Sequence, residues 1–95
     1  MKWLELILFR SSGPVEHPID FRDSKRIVQE MKEPGLQKVS ICSHATIPFD
    51  FCIALHWQTA QPQLSGSDLG LSLMQELKRS GLVDHSVWVE RNGDF

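Results

Sequence analysis

Tyrosine is absent from the sequence, and asparagine occurs once, at position 92. Any mechanism that needs a phenol is therefore excluded. Cysteine is scarce: Cys42 and Cys52 are the whole complement, and no CxxC spacing occurs. That argues against a disulfide framework and predicts a cytoplasmic protein with free thiols. No basic excess exists either. Ten Lys and Arg against twelve Asp and Glu give a formal charge of −2 and a pI near 6.0, so no positive field is present to hold a polyanion. Long hydrophobic runs are missing too. The most apolar stretch, residues 3–10, is interrupted by Glu5, preceded by one lysine and followed by no small-residue cleavage site. It reads as a buried strand, not as a signal peptide or a membrane span. No internal repeat and no low-complexity tract is found. The glycines at 66 and 70 lack the G-x-G-x-x-G spacing of a dinucleotide loop, and Asp68 stands where a phosphate would bind.

What is present is one ordinary globular domain spanning residues 1–95. At roughly 150 residues per domain, this length leaves no room for a second core. With 41% apolar and 23% charged residues, disorder is not expected. Residues 3–10 predict a first strand that is apolar on both faces, Trp3, Ile7 and Phe9 opposing Leu4, Leu6 and Leu8. Asp20 is expected to cap a helix, with Asp23 in the box position. Phe21, Ile27, Val28 and Met31 form its apolar face, and Arg22, Lys25, Arg26 and Gln29 its polar one, until Glu33-Pro34-Gly35 stops it. Residues 37–45 alternate, with Val39 and Ile41 on one face and Ser40, Cys42 and His44 on the other. Residues 50–57 alternate again, with Phe51, Ile53, Leu55 and Trp57 opposing Asp50, Cys52, Ala54 and His56. A turn near Ile47 makes these two strands a hairpin. Ser67 then caps a second helix striped by Leu69, Leu73 and Leu77, and Gly81 is expected as its C′ glycine. Residues 83–90 predict the last strand.

The order βαββαβ is the ferredoxin-like arrangement of the α+β class, an antiparallel sheet with two helices on one face. The other face is left uncovered. A second copy of the chain is the expected cover, giving a homodimer through the open sheet face.

The apolar strand Phe51-Cys52-Ile53-Ala54-Leu55-His56-Trp57, and the stretch from Ser67 to Trp88 ending in Val87-Trp88-Val89-Glu90, resemble the dimeric α+β barrel superfamily, in particular antibiotic biosynthesis monooxygenase-like domains. The likeness covers nearly the whole chain. It implies a dimeric barrel and a cavity for a small apolar or aromatic molecule. Some members are oxygenases that work without metal or bound cofactor, others degrade haem, and others have no known activity. Trp57 matches the tryptophan that follows the third strand in the haem-degrading branch. No asparagine lies on the first strand and no histidine on the second helix, so that branch is not indicated.

Three groups of residues carry the candidate chemistry. A hairpin turn near Ile47 sets Cys42 opposite Cys52, His44 opposite Asp50 and Ser40 opposite Ala54, with His56 further along the same row. His44, Asp50 and His56 are the candidate acid–base groups, and Cys42 and Cys52 the candidate ligand contacts. The same row also reads as a semi-polar lining of a dimer interface, with the cysteines as small hydrophobes. Its spacing fits no zinc pattern, so no metal is expected, and the resemblance implies work without a bound cofactor. Trp57 and Trp88 are candidate ligand-pocket walls, although tryptophans at strand ends are more often core or interface filler. His17, in a loop, reads as solvated. His85, in phase with Val87 and Val89, reads as a satisfied edge-strand histidine. Two functions follow: a cofactor-independent oxygenase-like enzyme on a small apolar molecule, or a non-catalytic dimeric binding or interaction module. RNA binding is excluded by the negative charge and by a third strand without the basic-aromatic pattern. Nothing in the sequence points to a membrane partner.

Overall fold

The computed structural model describes residues 1–11 and 24–91. Asp20, Asp23, Phe21, Arg22 and His17 lie outside the described residues, as do the side chains of Lys25 and Ile27. The tail 92–95 lies outside them too. Four strands, β1 (Lys2–Ser11), β2 (Leu36–Ser43), β3 (Phe51–Gln58) and β4 (Gly81–Val89), form one antiparallel sheet in the spatial order β2-β3-β1-β4. Two helices, α1 (Ser24–Glu30) and α2 (Asp68–Leu77), complete an α+β structure compatible with a ferredoxin-like fold. Among the described residues no helix is long and apolar enough to cross a membrane.

Alternation decides which side chains are covered. Phe51, Ile53, Leu55 and Trp57 of β3 are buried, and so are Trp3, Ile7 and Phe9 of β1 and Val39 of β2. Strands have period 2, so these residues share one face. Leu77 of α2 completes the buried cluster, and Val28 of α1, Met31 just beyond it, and Leu69 and Leu73 of α2 pack against it. The cross-strand pairs Trp3–Trp57 and Phe9–Phe51 stack, with ring centroids 5.5 and 4.8 Å apart. Each such pair adds about 0.5–1.5 kcal/mol beyond its buried area. The first strand's ambiguity is resolved by this stacking. The Trp3 row meets the helices, whereas Leu4 and Leu6 are half-buried and Leu8 is 46% exposed on the opposite face.

The β2–β3 register sets Cys42 opposite Cys52 and Ser40 opposite Ala54, as the turn position predicts. An irregularity between Leu36 and Lys38 begins β2, next to Gly35, whose φ of +86° suits a residue without a side chain.

Two helix boundaries differ from expectation, and β2 and β4 lie one or two residues earlier than the alternation predicts, so His44 falls in the turn. The first helix ends at Glu30, before the Glu33-Pro34-Gly35 stop. Gly81 is not a C′ residue: α2 is capped by Lys78, and Gly81 opens β4 opposite Ser11. Its missing side chain is needed there for packing, because a Cβ would strike the Arg10 carbonyl and the Phe9 ring.

Candidate functional site

The open face of the sheet is a grid whose rows follow the strand registers. One row holds Cys42, Cys52, Leu8 and Asp84. The next holds the small side chains Ser40, Ala54 and Ser86 around Leu6. A third holds Lys38, His56, Leu4 and Trp88. Two open depressions border this face. One, of about 450 Å³, gathers Cys42, His44, Asp50 and Cys52 with Leu8 and Leu82. The other, of about 470 Å³, includes His56, Trp57 and Trp88 with Leu4 and Lys38.

The expected acid–base residues thus divide into two groups. His56 stands six residues along β3 from Asp50, or about 20 Å of extended strand. His44 and Asp50 are neighbours through the backbone, the His44 amide donating to the Asp50 carbonyl at 2.8 Å. Their side chains are engaged elsewhere. Nδ1 of the exposed His44 accepts the amides of Thr46 (3.0 Å) and Ile47 (2.9 Å), so the imidazole caps the hairpin turn. The buried Asp50 carboxylate accepts the Ser11 amide at 3.2 Å and lies 3.6 Å from the largely exposed guanidinium of Arg10. It ties the start of β3 to the end of β1. Trp88 is 56% exposed, and its Nε1 donates to Ser86 Oγ at 2.8 Å.

The cysteines are both free, Cys42 exposed and Cys52 partly covered. Burial raises the Cys52 thiol above its ordinary pKa. The charge of Cys42 and a side-chain hydrogen bond with it push the same way, against a smaller opposing backbone hydrogen bond. Among the described residues no cluster of three or more His, Cys, Asp or Glu can hold a metal ion.

A second polar centre, on the helix-facing side, is one that sequence reasoning missed. Glu5 is fully buried in the row of Trp3, Ile7 and Phe9. Its Oε1 accepts Trp57 Nε1 at 2.9 Å and the Ser67 hydroxyl. Its Oε2 accepts the Ser67 amide at 3.1 Å and pairs with His85 Nε2 at 2.7 Å. Four donors thus converge on an acceptor-only group, which removes most of the cost of burying a carboxylate. Ser67 is also the N-cap of α2, its Oγ accepting the Gly70 amide at 2.9 Å. A side chain at Gly70 would collide with the Glu5 carboxylate, so the glycine lets α2 settle directly on it. Trp57 therefore carries out two tasks within the core, stacking on Trp3 and donating to Glu5. Three local signals mark this centre in the sequence: a carboxylate in phase with an apolar row, a glycine within a helix, and a histidine in phase with valines.

No family model, curated protein or solved structure matches the chain.

Proposed function

We propose that the chain is one subunit of a dimeric α+β barrel of the antibiotic biosynthesis monooxygenase-like kind, with βαββαβ order and both helices on one face. Two copies pair through their open sheet faces and bind a small apolar or aromatic molecule between them, in the cytoplasm. One observation carries this reading. The face away from the helices presents Leu8, Leu82 and Trp88, each at least 46% exposed, around two depressions of ligand size. An apolar face of this kind on a small chain is ordinarily a contact surface, and pockets of 300–1,000 Å³ are typical of small-molecule sites.

Binding is favoured over catalysis by the state of the candidate acid–base groups. The His44 imidazole caps a turn, the Asp50 carboxylate holds Ser11, and His56 lies in the other depression. Cofactor-independent oxygenation is the second reading, favoured by the two thiols, His44 and Asp50 lining one depression.

Light scattering at micromolar concentration tests the assembly. A mass twice 10.9 kDa is expected, and a mass near 10.9 kDa overturns the dimer. Quenching of tryptophan emission by 1-naphthol tests the ligand class. Saturable quenching that Trp88→Phe diminishes is the expected result, and a linear, collisional response overturns the binding site.

A further inference from the structure

Cys42 and Cys52 stand directly opposite each other in the β2–β3 ladder. The His44 amide bonds the Asp50 carbonyl two residues further along each strand. Hydrogen-bonded pairs alternate in antiparallel ladders, so 42 and 52 also form a hydrogen-bonded pair, with a Cα separation of about 5.5 Å. A disulfide requires about 4.4–6.8 Å between Cα atoms, most often 5.5–6 Å. Residues paired this way project from the same face, with Cβ atoms about 4.5–5.5 Å apart. The two sulfurs already sense each other, since the Cys42 thiol acts on the Cys52 thiol by charge and by hydrogen bonding. Access is one-sided: Cys42 is exposed, whereas Cys52 is partly covered beside Leu8.

We propose that Cys42 and Cys52 are a redox-active dithiol that a small-molecule disulfide converts into an intrachain cross-strand disulfide. The exposed Cys42 thiolate attacks one sulfur of the oxidant, forming a mixed disulfide and releasing one thiol. The Cys52 thiolate then attacks Sγ of Cys42 and expels the second thiol. Two protein thiols are oxidised, one disulfide bond of the oxidant is reduced to two thiols, and the strands must draw the two Cβ atoms slightly closer to close the bond. The new bond would staple β2 to β3 beside Leu8 and Leu82, altering the floor of the depression that the thiols line. The pairing stands on the register of the hairpin; a dimer through the open face would cover Cys42, so oxidation is expected to favour the single chain.

The test is incubation of the full chain with oxidised glutathione, followed by intact-mass measurement, thiol titration and peptide mapping. The expected product has lost two hydrogens and both free thiols, with a peptide linking Cys42 to Cys52. Cys52→Ser should stop at a glutathione adduct on Cys42. A wild-type protein that accumulates the mixed disulfide, links two chains through cysteine, or keeps both thiols overturns the proposal. Light scattering of the same samples reports the assembly separately, so failure of the dimer and failure of the dithiol are distinguishable.

Discussion

Glu5 stabilises or destabilises the fold according to its company. A carboxylate without partners at its position would be among the costliest groups to bury, yet Trp57, Ser67 and His85 all reach it. Removing the carboxylate leaves those donors in a dry site. Glu5→Ala is expected to cost about 3–5 kcal/mol in urea unfolding, as breaking a buried hydrogen-bond network and leaving its donors unpaired does. Gly70→Ala drives a methyl into the same carboxylate and should cost about 1–3 kcal/mol, as overpacking does. The two changes share one contact, so a double-mutant cycle should show that Gly70→Ala costs less once Glu5 is alanine. Strict additivity would refute the contact. At Cys52 the raised thiol pKa makes a kinetic prediction. Iodoacetamide should label Cys42 first, and Cys52 labelling should rise only above the ordinary thiol pH range. The linked stability effect has the same origin. Because the folded state holds the proton more tightly, the contribution of Cys52 is complete below the ordinary thiol pKa. It is lost as pH rises through the raised value.

At the scale of elements, α2 depends on one residue at its start. Ser67 satisfies the first turn through Gly70 and fastens that turn to β1 through Glu5. Ser67→Ala should therefore cost more than an isolated cap, about 1–2 kcal/mol by thermal denaturation. Ser67→Asp would restore the cap and set a second carboxylate against Glu5, so it should fail to rescue. The hairpin between β2 and β3 has a cap of a different kind, an imidazole accepting two amides. Phe49, with φ of +73°, completes the turn in a left-handed conformation that costs a non-glycine residue free energy. Phe49→Gly relieves that strain, although it also removes the ring's contacts.

For the whole molecule, residues of both helices pack on the buried face of the sheet, and among the described residues the opposite face leaves Leu8 and Trp88 exposed. If two copies cover it, stability is linked to concentration. The thermal midpoint should then rise with protein concentration in the wild type and not in Leu6→Glu, whose carboxylate falls at the centre of the face. A midpoint independent of concentration in both proteins would count against the dimer.

Much of the strand architecture was legible because strand geometry is local. Period 2 in Phe51–Trp57 names the buried row without reference to any other segment. Ser67 announces α2 because a cap is satisfied within its own first turn. The Cys42–Cys52 pairing follows from a short turn, since few registers connect two adjacent strands. Other features depend on residues far apart in the chain. Strand β1 is apolar on both faces, so its sequence is equally content with either row inward. The choice falls to stacking against Trp57 and Phe51, some forty to fifty-five positions away. The partners of Glu5 lie 52, 62 and 80 positions along the chain. A buried charge is tolerable only where several donors meet, and that meeting exists only after the sheet and α2 have closed around it.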